Sequence, residues 1–358
     1  MSFWATSAGA PSLWNVYFGD RTPRLLRDTA PPTPSPSWRD TQSGDELVPR
    51  RLFAADGMEV ATFLERHYWG VGWRYVSVGK WIHRYLGDPS VVAIGFFRRV
   101  VGAPELVATM FAVPLGGVLM SHGSVRPRMM VFEGLCVHPS YRGQGLIHAA
   151  LGYMDAQLHR INGYTAGLWC RDLDSVPFFN TAISTATYGF RRCGFGGAAV
   201  AEPMEWAEFA RLWERDSANW IGGSDAGGVV VVPVPENRRG SMRVFRSGTQ
   251  VICVGDTGRI SVPESLPIYE IMWCGVLGED GKLYAASATT DFQHALNAVA
   301  AALSRGLLFG TDAPNGGSVK AGWTDWMVGR SGCVAWYMYN FVPPSYGATR
   351  IHIVRDEL

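Results

Sequence analysis

Glu133-Gly-Leu-Cys-Val-His-Pro-Ser-Tyr-Arg-Gly-Gln-Gly-Leu146 is the segment on which the reading of this chain turns. An apolar, strand-like run ends at Val137-His-Pro, and an Arg142-Gly-Gln-Gly145 loop follows. Apolar residues then recur with helical spacing at Leu146, Ile147, Ala150, Leu151, Met154 and Leu158. A strand-to-helix junction of this kind suits an anion. The first N–H groups of a helix lack partners, and its dipole favours negative charge there. Glycines let the backbone approach a pyrophosphate with no Cβ in the way. The plainer reading of the same pattern is a tight turn. A second Gly-rich stretch, Gly194-Phe-Gly-Gly-Ala-Ala199, has no strand–helix frame around it and is read as a loop.

Working outward, Val91–Phe97 and Leu106–Val113 read as a hairpin separated by Arg, Gly and Pro. Met129–Val137 is a third strand, and Tyr164–Trp169 follows the helix as a fourth. Upstream, helical periodicity starts near Asp56 with Val60, Phe63 and Leu64. Residues 1–50 include Pro23, Pro31, Pro32, Pro34 and Pro36, and read as a loosely ordered arm and Pro-rich linker. Downstream, a break at Gly222–Gly228 precedes Val229–Val234, a helix-like Phe292–Leu303, and a final strand pair, Val334–Val342 and Arg350–Val354. The order predicts an α+β fold of two half-domains, residues 51–222 and 223–358, with a mixed central sheet flanked by helices.

Bulk composition limits the function classes. At 358 residues, two domains or two fused halves are expected, and 47% hydrophobic with 18% charged residues marks a globular chain. A formal net charge of +1 gives no electrostatic case for nucleic acid or an acidic membrane surface. The 14 Trp, 17 Phe and 13 Tyr residues suit cores or a long apolar pocket. Cys136, Cys170, Cys193, Cys253, Cys274 and Cys333 are scattered without a Cys-x-x-Cys pair, which fits free thiols in a reducing, cytoplasmic setting and no metal site. No signal peptide is read at Met1-Ser-Phe-Trp, and no run reaches the ~18 apolar residues of a membrane span, so no stable membrane insertion is expected. The Arg355-Asp-Glu-Leu358 tail is similar to an ER-retention signal, which acts only on a chain that enters the secretory pathway.

The loop resembles the Arg-x-x-Gly-x-Gly/Ala pattern of the GNAT acyltransferase superfamily, with Ile147 at the last small position. Further segments resemble the N-myristoyltransferase family (glycylpeptide N-tetradecanoyltransferase), whose fold is two fused GNAT-like halves. Phe3-Trp-Ala-Thr6 looks like that family's Phe-Trp-x-Thr arm, and Leu106–Pro114 like its strand ending in Ile-Pro. Leu135-Cys-Val-His138 and Tyr164-Thr-Ala-Gly167 reproduce two of its tetrapeptides. Gly281-Lys-Leu283, Ala295-Leu296, Trp336-Tyr-Met-Tyr-Asn340 and Pro344-Ser-Tyr-Gly347 stand in its order.

The resemblance implies a reaction. A C14 acyl group passes from myristoyl-CoA, a co-substrate rather than a resident cofactor, to the N-terminal glycine amine of a protein, without a covalent enzyme intermediate. It implies that the backbone N–H groups of Gly134 and Leu135 stabilise the thioester oxyanion. Phe3 and Trp4 would close over the CoA ligand, held by Val137, His138, Arg142, Gly143, Gln144, Gly145, Leu146 and Ile147. Thr165 would position the amine. The amine has a reference pKa of ~7.7–8.0 and needs a base within reach. The family uses its C-terminal carboxylate, here Leu358, although this chain runs about two residues longer, so Asp356 or Glu357 is an alternative. Glu133, Tyr188, Tyr337 and Tyr339 are candidates for the acceptor peptide, with Trp336 beside them or in the core. His138 is read as a loop cap in preference to a general base. The family's acidic loop is missing after His67-Tyr68. A monomer is expected. Two alternatives stay open: a GNAT-like transferase with another acyl-CoA or amine, and a descendant that binds acyl-CoA or lipopeptide without turnover.

Overall fold

The computed structural model describes residues 24–25, 37–40, 42–70, 72–76, 79–115, 129–162, 166–172, 184–194, 200–216, 229–231, 242–285, 293–311, 332–339, 341–342 and 350–352. In chain order, β1 (Arg24–Leu25), β2 (Trp38–Arg39) and β3 (Glu46–Arg51) precede α1 (Gly57–His67). Next come β4 (Trp69–Gly70), β5 (Trp73–Tyr75), α2 (Gly79–Gly87), β6 (Val92–Arg98), β7 (Glu105–Leu115) and β8 (Met129–Val137). Then follow α3 (Leu146–Asn162), β9 (Ala166–Asp172), β10 (Ser184–Arg192), β11 (Glu202–Met204) and α4 (Trp206–Asp216). The remainder is β12 (Val229–Val231), β13 (Met242–Ser247), β14 (Gln250–Ser261), β15 (Pro267–Leu277), β16 (Leu283–Ala285), α5 (Gln293–Ala302), β17 (Leu307–Thr311), β18 (Gly332–Tyr339), β19 (Phe341–Val342) and β20 (Arg350–His352).

The expected mixed α+β architecture is present. One sheet runs β11-β13-β14-β15-β17-β10-β18-β9-β8-β7-β6-β3-β2, with β4, β5 and β16 attached beside this path. Two neighbouring pairs on the path, β8/β9 and β15/β17, are parallel, and each crosses over through a helix, α3 and α5 respectively. The sheet does not divide at the Gly222–Gly228 break expected from the sequence. β10 precedes the Gly222–Gly228 break, yet it lies between β17 and β18, which follow it.

Helices cover both faces of the first strands. Val92, Ile94 and Phe96 pack with Leu146, Ala150, Met154 and Leu158 of α3. Ala93 and Phe97 pack with Val60, Phe63 and Leu64 of α1 and with Ile82 and Tyr85 of α2. A strand buried on both faces reads as an unbroken apolar run, which is how Val91–Phe97 stood out. In the later strands α5 packs through Leu296, Val299 and Ala300. Phe209 and Trp213 of α4 meet the buried Trp273 of β15 at ring separations of 5.7 and 5.1 Å.

Several elements depart from the sequence expectations. The end of the stretch read as loose arm, residues 46–50, belongs to the strand Glu46–Arg51, which pairs with β6. Among the described residues β2 pairs only with Glu46 and Leu47, so Pro49 displaces no ladder bond on that side. The strands at Val334 and Arg350 are not partners: β18 joins β9 and β10, whereas β20 pairs in parallel with β12. Helices α2 and α4 and the β13–β15 meander had no expectation attached. α4 ends on Asp216, a buried carboxylate that accepts two bonds from Arg215 at 2.6 Å and one from the Leu283 N–H at 2.7 Å. The Arg215 bonds hold its pKa below the usual carboxylate value, against the effect of burial. Its stabilisation is therefore present above the unfolded pKa and lost as pH falls through the lower folded one. Asp216→Ala is expected to cost about 1–3 kcal/mol at neutral pH, read from the urea midpoint, with the difference shrinking in acid.

Candidate active site

The site begins with an irregularity in β8. Its ladder with β7 jumps from Phe111↔Glu133 to Thr109↔Cys136, so Gly134 and Leu135 together oppose Met110. This is a β-bulge, and Gly134 sits in it at φ +56°, a left-handed conformation that glycine adopts without penalty. The Thr109 hydroxyl, itself buried, donates to the Gly134 carbonyl at 2.9 Å. On its other side β8 pairs with β9 only through Met129–Val131 among the described residues. β9 meanwhile continues to Asp172 alongside β18. The two parallel strands thus part company just before the bulge.

Beyond the bulge, β8 leads straight into the loop. His138 caps a short 3-10 turn, Pro139–Tyr141, by accepting the Ser140 N–H on Nδ1 at 3.3 Å, which is the capping role expected for it. Tyr141 pins that turn from inside. It is 4% exposed and donates its hydroxyl to Asp45 at 2.7 Å, and burial and that bond push its pKa up to about 12. Gly143 and Gly145 have φ of +76° and +85°. A Cβ on Gly143 would meet nothing within 4 Å, so backbone conformation, not crowding, calls for glycine there. No backbone hydrogen bond is donated by Gly143, Gln144 or Gly145 among the described residues. These N–H groups precede the start of α3 at Leu146, a geometry that suits an anion. Leu146 is buried, while Ile147 is 38% exposed, so its bulk at the usual small position stands in open space.

Arg142 ties the loop to its surroundings. Its Nε donates to the Val137 carbonyl at 2.9 Å and its Nη2 to the His67 carbonyl at 3.0 Å. It therefore straps the loop to the C-terminal end of α1, where a cation also suits the helix dipole. His67 packs edge-on against His138 with ring centroids 4.6 Å apart. Burial lowers the His67 pKa, and the neighbouring His138, Arg66 and Arg142 push it further down against a weaker pull from Glu105. His67 was passed over in the sequence, since only the fold brings it to His138. Burial also pushes the Cys136 thiol up to about 12, which keeps it protonated and unsuited to nucleophilic attack.

A second cluster lies on the Glu133 side. The Arg259 guanidinium sits over the Trp73 and Tyr75 rings at 4.7 and 5.3 Å, and its Nε donates to the Tyr75 hydroxyl at 3.2 Å. Tyr68 stacks on Tyr75 at 5.0 Å. The Tyr75 phenol is raised by burial, with Glu133 adding a further electrostatic push. Burial lowers the Arg259 pKa, but Tyr75, Glu270 and Tyr68 more than offset it. Aromatic residues from just past α1 and a cation from β14 thereby meet beside the strand that holds the bulge.

Glu133, Gly134, Leu135, Val137, His138 and Arg142–Ile147 are thus brought into one continuous stretch. Tyr337 and Tyr339 lie in β18 opposite Trp169 and Gly167, and Tyr188 lies in β10 opposite Thr311 and Gly332. Phe3, Trp4, Thr165 and Leu358 fall outside the described residues. Those residues contain no group of three or more metal-ligating side chains, and no helix among them is long and apolar enough to cross a membrane.

No protein-family model matches the chain, and no curated protein matches its sequence. Among solved structures it is similar to Saccharomyces cerevisiae N-myristoyltransferase with bound myristoyl-CoA, with a TM-score of 0.65 at 12% identity over 97% of this chain and 89% of that one. A second structure of that yeast enzyme with the same ligand gives a TM-score of 0.64 at 11% identity, covering 97% and 93%. At such identities the likeness is one of fold, and it extends over nearly the whole chain.

Proposed function

We propose that this chain is an acyl-CoA-dependent N-acyltransferase that moves a myristoyl group from myristoyl-CoA to the N-terminal glycine amine of protein substrates. The observation that carries this reading is the combination, within β8 and the loop after it, of the Gly134–Leu135 bulge and the open glycine cradle. An acyl-CoA needs both at once: donors where the thioester oxygen becomes negative, and amides for the pyrophosphate. The gap between β8 and β9 provides a lane between them. The myristoyl-CoA bound to the yeast enzyme of like fold supports the choice of C14 chain, and the tetrapeptide resemblances at Leu135–His138 and Tyr164–Gly167 support the glycine acceptor. In this reading residues 1–50 form an arm, residues 51–222 hold the acyl-CoA, and residues 223–358 supply the peptide surface and a terminal carboxylate base. Tyr188, Tyr337 and Tyr339 line the acceptor side, Thr165 positions the amine, and Phe3 and Trp4 close over the CoA ligand.

The test is direct. Purified protein, a clickable C14 acyl-CoA and a peptide beginning with glycine are expected to yield acylated peptide, and the same peptide beginning with alanine to yield none. Transfer from acetyl-CoA in preference to the C14 thioester would replace the chain-length assignment. Tight binding of the acyl-CoA with no transfer to any amine would overturn the enzymatic reading.

A further inference from the structure

The Thr109 hydroxyl makes a buried hydrogen bond to the carbonyl of Gly134, across the ladder and within the bulge. That carbonyl shares a planar, trans peptide with the Leu135 N–H, and in such a unit the two groups point in opposite directions. Holding the oxygen toward β7 therefore turns the Leu135 N–H away from β7. Away from β7 is where β8 has left β9, whose pairing stops at Val131. In an ordinary ladder, register fixes each peptide plane. Here the bulge has removed that restraint, and Gly134, with no Cβ and a φ of +56°, is the residue least able to hold the plane by itself. We infer that Thr109 is a positioning residue for acyl transfer: it locks the Gly134–Leu135 peptide so that the Leu135 N–H is preorganised toward the thioester oxygen.

This inference rests on the acyltransferase reading above, and it makes a narrower demand. A donor aimed before the reaction starts stabilises the developing oxyanion without a reorganisation cost, whereas a plane free to flip does not. Thr109→Val keeps the shape and removes the hydroxyl, and Thr109→Ser keeps the hydroxyl. The valine variant is expected to lose about 10- to 100-fold in kcat with KM for the acyl-CoA changed by less than about threefold, and the serine variant to recover most of the loss. A structural role alone would lower the urea midpoint without that split.

A second measurement does not depend on turnover. With 15N-leucine labelling, the Leu135 amide signal, assigned with a Leu135→Met variant, should shift on adding a ketone analogue of myristoyl-CoA, in which a CH2 stands between sulfur and carbonyl. The shift should be present in wild type and Thr109→Ser and absent in Thr109→Val. A valine variant with wild-type kcat, or one whose Leu135 signal still responds, overturns the inference. Wild-type protein that transfers no acyl group counts against the acyltransferase reading instead, and the amide shift still decides the role of Thr109.

Discussion

Replacing Gly134 with alanine is expected to lower kcat by roughly 10²-fold or more, the scale of losing one preorganised oxyanion donor. The cause is conformational. Gly134 sits at φ +56°, and a Cβ there costs about 1–2 kcal/mol in a left-handed conformation. The strand can relieve this by resetting the bulge toward an ordinary ladder, and that rotates the Gly134–Leu135 peptide. The cradle at Gly143–Leu146 lies beyond a separately anchored turn, held by Tyr141 on Asp45 and by Arg142 on two carbonyls. Acyl-CoA affinity is therefore expected to stay within about threefold. Steady-state kinetics with a binding isotherm and a thermal melt would separate the effects. A folded Gly134→Ala protein with unchanged kcat would remove the bulge from the mechanism.

The second large effect is expected at Arg259. Its guanidinium bridges β14 and β5, packed on Trp73 and bonded to Tyr75, which is 1% exposed. Arg259→Leu removes the donor from a buried phenol and the cation from two ring faces. We expect a loss of about 2–3 kcal/mol, below the 3–5 kcal/mol of fully buried pairs because the residue keeps some solvent contact. Arg259→Lys should recover only part of this, since an ammonium lacks the planar fork that lies on the rings. Urea denaturation would show a lower midpoint with an unchanged slope. Leucine and wild-type proteins of equal stability would show the cluster to be incidental.

The loop and its flanking strand and helix were legible from sequence because each part of the signal is local. Gly143 and Gly145 announce unusual φ values, Met129–Val137 announces a strand, and Leu146–Leu158 repeats at helical spacing. The role of Arg142 was legible only as charge. Its partners, the carbonyls of Val137 and His67, are backbone atoms with no side-chain signature. Thr109 gave no signal, since one polar residue in Leu106–Val113 fits either face of a strand, and its meaning depends on a bulge in a neighbouring strand. Arg259 was equally silent, because nothing in Gly255-Asp-Thr-Gly-Arg259 marks which rings its guanidinium will meet. In the structure that stretch is an irregular strand, with a register shift between Asp256 and Arg259 that swings β14 onto β5. His67 and His138 are joined by tertiary contact alone.

The crossing of strands between the two parts of the sheet has a consequence for how the molecule comes into being. β9 is flanked by β8 on one side and by β18 on the other, and β18 is made about 160 residues after β9 ends. At synthesis rates of about 5–20 residues per second, β9 waits roughly 8–30 s on the ribosome for that neighbour. Throughout that interval it presents an unpaired edge next to the β8/β9 gap, open to the wrong strand. Early release of the chain, anywhere before β18 emerges, leaves that edge exposed. The stretch of translation between Asp172 and Gly332 is therefore an interval in which that edge is open to mispairing.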